Sequence, residues 1–287
     1  MKSYLPDFDL ISATSLEDVL LKLNKEKITP IAGGTDLMVL LDAGKLPPGK
    51  FIDINQLPSL KIIEEDADYI YIGALCTFSD IRNNPLCQNY FPMMGEAARW
   101  SGAKAIQNRG TIGGNICNAS PAGDTPPALL SYDAEIELSS VDGVRWISYD
   151  EFHYDYKKMK KNPNELLTRI SIPKTNPERY EWYQKVGTRL AQAISKICFA
   201  GLIEFSEDKE VKKIRLAWGA MGPYVLRSKK TEQILMGQKI TPQLISKALT
   251  ELNTELNPID DIRSTGTYRK KVALNLLEHF LSEGIKK

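Results

Sequence analysis

Histidine is almost missing from this chain, cysteine is sparse, and neither sign of charge prevails. Only His153 and His279 occur in 287 residues. Neither has a partner at metal-ligand spacing, so zinc sites and hydrolytic triads are poorly supplied; His279 reads as a helix-surface residue. Cys76, Cys87, Cys117 and Cys198 are scattered, with no Cys-x-x-Cys among them. That argues against a disulfide framework or a cysteine-held cluster and for buried thiols. The net charge of +1 with 25% charged residues gives no electrostatic reason to expect nucleic acid or an anionic membrane as partner. No run approaches bilayer length, and residues 1–7 carry no apolar signal core, so a cytoplasmic location is expected. There is no G-x-G-x-x-G and no G-K-[ST], which removes the usual dinucleotide fingerprint and the P-loop.

Two glycine motifs are present instead. Ala32-Gly33-Gly34-Thr35-Asp36 follows a short apolar run and opens a helix, and Gly110-Thr111-Ile112-Gly113-Gly114-Asn115 lies well downstream. Glycine permits positive φ and close approach of an anion to main-chain N–H groups. Two such turns could wrap a diphosphate from both sides, which points to a nucleotide cofactor.

The length suggests two or three subdomains. In the first, Thr14-Ser15-Leu16-Glu17 reads as a capping box before a helix with Leu16, Val19, Leu20 and Leu23 on one face. A strand at 29–32, a helix with Thr35 or Asp36 as N-cap ending near Gly44, and a strand at 51–54 complete a small β-α-β unit. Beyond it, 61–64 and 69–75 read as strands paired around Asp66, Thr77 as the cap of a short helix, and Pro85 as the start of one helix running to Trp100. Residues 101–124 have the composition of a loop, longer than a compact domain leaves without function. A short helix at 128–130 and strands at 134–139 and 166–172 follow. After Asn176-Pro177 the pattern predicts three antiparallel strands, at 181–186, 195–205 and 211–218, and helices at 231–236, 242–252 and 268–281. The expected boundaries give units 1–56, 57–175 and 176–287.

With no lysine inside either turn, a bound pyrophosphate would rest on main-chain N–H groups, the hydroxyls of Thr35 and Thr111, and the helix start at Asp36. Hydrogen bonds to a charged group contribute about 1.5–3 kcal/mol each, so a handful suffices. Asp36 would repel phosphate unless its carboxylate turns away to cap its own helix, which is its expected role.

The run from Gly110 to Pro127, with Asn118-Ala119-Ser120-Pro121-Ala122-Gly123-Asp124 inside it, together with Ala32 to Leu37, closely resembles the FAD-binding medium subunit of the molybdenum hydroxylases. That family includes xanthine, carbon monoxide and nicotinate dehydrogenases. The resemblance extends through Leu166-Leu167 to Pro173 and through Tyr183-Gln184-Lys185-Val186-Gly187-Thr188-Arg189, covering nearly the whole chain. It implies an α+β architecture: the two-subdomain FAD-binding fold of the vanillyl-alcohol oxidase type, followed by a C-terminal three-stranded antiparallel sheet plus helices. It also implies that Ala32, Gly33, Gly34, Thr35, Asp36 and Leu37, with Thr111, Gly113 and Gly114, enclose the FAD pyrophosphate. Asn115, Cys117 and Ser120 would line the route to the flavin, Asp124 would accept from the ribityl chain, Leu167 would pack on the isoalloxazine, and Lys185 would approach its pyrimidine edge. No residue is implied as a catalytic acid or base, and no metal is expected in this chain.

The implied activity is electron relay from a small [2Fe-2S] partner, in a complex with a large molybdenum-cofactor subunit, onward to NAD or another acceptor. A heterotrimer or its dimer is the implied assembly. Each residue has a plainer alternative: the glycines as ordinary turns, Asp124 as a helix cap, Leu167 as core, Lys185 as an exposed strand lysine, Arg189 as an ion-pair partner. A free-standing flavoenzyme of the same fold, or a non-catalytic nucleotide-binding regulator, are the rival functions. Neither the oxidised substrate nor the final acceptor is legible in this chain.

Overall fold

The computed structural model describes residues 8–174, 176–190 and 192–286. The heptapeptide read above as lacking a signal core, and position 175 at the second expected boundary, lie outside them. In chain order the first unit holds β1 (Phe8–Ser12), α1 (Leu16–Lys25), β2 (Thr29–Ile31), α2 (Leu37–Asp42) and β3 (Gly49–Asp53). The three strands are parallel, in the order β1-β3-β2, with helical crossovers of the kind parallel pairing requires. Ser15, with extended backbone, caps α1 by accepting from Asp18 N, while Thr14 N donates to the Asp18 carboxylate. The cap is therefore one residue later than the Thr14 reading placed it. Val19 and Leu23 pack with Ile52, Ile54 and Leu57 in the first core. Fully burying such side chains contributes about 1.5–3 kcal/mol each. By contrast α2 buries nothing, and its Met38, Val39 and Leu40 are exposed.

A 3-10 turn (Pro58–Lys61) leads into β4 (Ile63–Glu65) and β5 (Tyr69–Gly73), paired antiparallel around Asp66, whose carboxylate accepts from Asp68 N and Tyr69 N. Then come α3 (Phe78–Asn83), α4 (Pro85–Tyr90), α5 (Pro92–Trp100), α6 (Lys104–Gln107), α7 (Ile112–Asn118) and α8 (Pro126–Ser131). Thr77 and Asp80 form a reciprocal capping box on α3. The single helix expected from Pro85 to Trp100 is two, because Pro92 has no N–H to continue the ladder and instead starts a new helix. The expected loop at 101–124 likewise contains α6 and α7. The remaining elements are β6 (Glu135–Ser140), β7 (Gly143–Ser148), α9 (Tyr149–Phe152), β8 (His153–Asp155), β9 (Lys158–Met159) and β10 (Leu166–Pro173). An antiparallel five-stranded sheet runs β4-β5-β10-β6-β7, and β8 and β9 form a separate hairpin.

The C-terminal region has β11 (Tyr180–Val186), β12 (Ile197–Phe205), β13 (Val211–Gly219), the two-residue β14 (Leu226–Arg227), α10 (Lys229–Leu235), α11 (Pro242–Glu255) and α12 (Gly266–Gly284). The three expected antiparallel strands are present, and β14 extends their edge. Alternation along β12 explains the burial of its residues from Ile197 to Ile203. Cys198, Ala200 and Leu202 face the core of the five-stranded sheet and its helices, and Ile197, Phe199 and Ile203 face α10–α12. The C-terminal sheet thus stands against the middle unit with both faces covered. No helix of the described residues is long and apolar enough to cross a membrane.

Candidate functional site

The first glycine turn leaves β2 and bends before α2. Gly34 takes φ +74°, and a Cβ on Gly33 would lie 1.8 Å from the Arg109 carbonyl oxygen. Only a glycine permits that contact, which presses the first turn against the residues just before the second motif. Arg109 Nε also donates to Gly33 O at 3.4 Å. Among the described residues, the main-chain N–H groups from Ala32 to Leu37 have no protein acceptor. A row of unpaired amides is costly unless solvent or a ligand receives it. Asp36 departs from expectation: its backbone is helical and its side chain makes no cap bond. Its Oδ1 instead accepts from Asn118 Nδ2 at 2.9 Å, a partner that local spacing does not reveal.

The second motif is not a turn. It is the first turn of α7, with Thr111 as N-cap and Gly114 N donating to Thr111 Oγ1 at 3.1 Å. Gly113 N donates to Ala74 O and Ile112 N to Cys76 O, both at 2.9 Å, and Asn115 N to Thr111 O. The main-chain donors expected to hold a diphosphate from this side are therefore engaged within the protein. Gly113 is glycine because a Cβ would meet Ala74 Cβ at 2.7 Å and Ala74 O at 2.8 Å. What this segment offers a ligand is close approach and side chains. Asn115 Oδ1 accepts from Thr125 Oγ1 at 2.6 Å, and its Nδ2 has no acceptor among the described residues.

All the candidate residues except Lys185 line one cleft of about 1950 Å³. Its walls come from the first turn, α7, the start of β10, residues 192–194 and 222–223, and Ile259 and Asp261 of the C-terminal region. Cys117 and Ser120 lie along it; burial pushes the Cys117 thiol up to about 11, so it is a wall residue and not a thiolate. Leu167 serves two ends, packing in the main core and facing the cleft.

Lys185, on β11, stands behind the cleft wall and touches the wall residue Asp124. It is buried, not an exposed strand lysine, and Nζ donates to Asp124 Oδ2 at 2.8 Å and to Trp100 O at 3.0 Å. Ser195 Oγ donates to Asp124 Oδ1 at 2.8 Å, and Tyr183 OH to the Asp124 carbonyl at 3.0 Å. Asp124 does not cap α8; Thr125 stands at that position. Burial raises the Asp124 carboxyl pKa, opposed by the Lys185 ammonium and then by Ser195. Arg189 Nη2 donates to Gln192 O.

Sequence reasoning passed over Arg109, Asn118, Lys157 and Ser195. Lys157 is 39 residues from Asn118, to which it donates, and no local pattern could join them. The cleft suits a long ligand with an anionic middle and an apolar, flat end. No group of His, Cys, Asp and Glu able to hold a metal occurs among the described residues. The amide row and the glycine-cleared walls fit FAD.

The likeness to known proteins runs the length of the chain. A family model described as the FAD binding domain in molybdopterin dehydrogenase matches residues 6–175, and one described as the CO dehydrogenase flavoprotein C-terminal domain matches 182–284. The chain is 31% identical over 271 residues to the glyceraldehyde dehydrogenase medium chain of Sulfolobus acidocaldarius, covering 94% of this chain and 95% of that protein. It is 29% identical over 272 residues to the nicotinate dehydrogenase FAD-subunit of Eubacterium barkeri, covering 92% of each. The solved carbon monoxide dehydrogenase of Hydrogenophaga pseudoflava that lacks the Mo-pyranopterin moiety superposes with a TM-score of 0.92 at 25% identity, over 97% of both chains. By these matches the chain belongs to the FAD-binding medium subunits of the molybdenum hydroxylase family, and is an oxidoreductase component that carries FAD.

Proposed function

We propose that this chain holds FAD between a small [2Fe-2S] subunit and an electron acceptor, NAD or another, while a large molybdenum-cofactor subunit oxidises the substrate. A heterotrimer or its dimer, working in the cytoplasm, is the proposed assembly, and 1–56, 57–175 and 176–287 are its proposed units here. The observation that carries this reading is the unpaired amide row of residues 32–37 opening on a cleft walled by all three units. When bound, FAD supplies the ability to take electrons singly and release them singly or in pairs.

The chain's own residues bind and orient. Amides of Gly33, Gly34, Thr35, Asp36 and Leu37 receive the diphosphate, and the Thr35 and Thr111 hydroxyls supplement them. Gly113 and Gly114 keep the wall of α7 bare enough for close approach, and Asn115 Nδ2, Cys117 and Ser120 line the path beyond. Asp124, held by Lys185 and Ser195, presents a fixed carboxylate; Lys185 sets the local field, and Leu167 excludes water. No acid–base pair is required for this work.

A tagged copy purified from its own host tests the proposal. Bound FAD is expected, together with iron and molybdenum carried on two co-purifying chains. A yellow protein that arrives alone and turns over a small molecule unaided would instead establish the free-standing flavoenzyme.

A further inference from the structure

Asp36 poses an electrostatic problem for the amide row beside it. An anion brought to residues 32–37 meets a carboxylate on the same turn. The structure answers through a relay from elsewhere in the chain. Asn118, the last residue of α7, donates Nδ2 to Asp36 Oδ1 at 2.9 Å. Lys157, in the turn between β8 and β9, donates Nζ to Asn118 Oδ1 at 2.8 Å and to the Asn118 carbonyl. The turn places Lys157 with left-handed backbone, φ +57°. Its hairpin neighbours Lys158 and Lys160 pair with Asp155 and Glu151, whereas Lys157 has no carboxylate within ion-pair distance among the described residues. Its charge is spent on Asn118 and, through it, on Asp36. Desolvation lowers the Lys157 pKa, and the field of Asp36 works in the opposite direction.

We propose that Lys157 is a positioning residue for the cofactor: acting through Asn118, it fixes the Asp36 carboxylate and offsets its charge, so that the amide row accepts a diphosphate. This rests on the reading that the row receives the FAD diphosphate. The motif carries no cation of its own because its cation comes from a distant hairpin.

The test is the FAD affinity of the full-length apoprotein, measured by quenching of flavin fluorescence, with riboflavin as a probe that lacks phosphate. Lys157→Met is expected to weaken FAD binding about tenfold, or ~1.4 kcal/mol, and to leave riboflavin unaffected. Lys157→Arg, which keeps the charge and the donors, retains most of the affinity. Asp36→Asn preserves the acceptor for Asn118 but removes the charge; in that background Lys157→Met should change FAD affinity less than about twofold. An equal loss in both backgrounds, or no loss in either while FAD still binds far more tightly than riboflavin, overturns the role of Lys157 and leaves the diphosphate reading standing. Equal affinity of the unmodified protein for FAD and riboflavin removes that reading and the proposal with it.

Discussion

Gly33 and Gly34 are adjacent in sequence, yet each is glycine for a different reason. At Gly33 the obstacle is Arg109 O, 1.8 Å from a would-be Cβ; at Gly34 it is the positive φ, with Met38 no nearer than 3.7 Å. Gly34→Ala should therefore cost about 1–2 kcal/mol of stability, the ordinary penalty for a left-handed alanine. Gly33→Ala must separate two backbone segments and should cost more, about 3 kcal/mol or above, as overpacking against immovable atoms does. Urea titration of both variants checks this, and equal losses would contradict the packing argument. Lys185 requires a paired substitution. Lys185→Met alone strands a buried carboxylate and should destabilise by about 3–5 kcal/mol, whereas Lys185→Met with Asp124→Asn should recover much of that loss. A lowered flavin potential in Lys185→Met, which still binds FAD, is the expected redox signature; each ~1.4 kcal/mol of differential stabilisation corresponds to about 30 mV. An unchanged potential removes Lys185 from the tuning.

The short helix α7 shows why a motif can be recognised and its local structure misjudged. Gly113 and Gly114 lower helix propensity, and the surrounding small polar residues look like a loop. The helix forms because Thr111 caps it and because its bare face fits against Ala74 at the end of β5. The cap lies within the segment, but the contact with Ala74 has no signature there. Thr111→Ala should cost about 1 kcal/mol, with Thr111→Ser keeping most of it, as thermal melts would show. The break at Pro92 is different, since a proline inside a predicted helix is visible in the sequence and its effect follows from the missing N–H. The amphipathic helix α1 was legible because one face had to be buried whatever the neighbour, and β12 because a short continuous apolar run reads as a strand covered on both faces.

Asp133 ties the middle unit to the C-terminal sheet. It holds φ +54° between α8 and β6 and accepts Lys213, Arg215 and Arg227, the first at 3.0 Å, the others at 2.7 and 3.1 Å. Burial raises its pKa, but Arg215 and Lys213 more than reverse this and the net shift is downward. A carboxyl depressed on folding stabilises above its unfolded pKa, and that stabilisation fades as pH falls through the folded value. Asp133→Asn should thus unfold at lower urea than the unmodified protein near neutral pH. The gap should narrow below about pH 4, where the unfolded carboxyl begins to protonate, and close as the folded one does. A gap that persists unchanged in acid would assign the loss to packing instead of charge.

What the amino-acid order determined by itself was chemistry of short reach: which segments bury a face, where a cap or a proline interrupts, and which glycine-rich runs resemble those of the FAD-binding medium subunits. These follow from neighbours within a few residues, or from a resemblance carried by such runs. Only the tertiary structure decided which amides stay unpaired, that Lys185 is buried against Asp124, and that Lys157 reaches Asp36 through Asn118. The physical reason is that hydrogen bonding and charge compensation depend on distances of a few ångströms, and folding sets those distances without regard to separation along the chain.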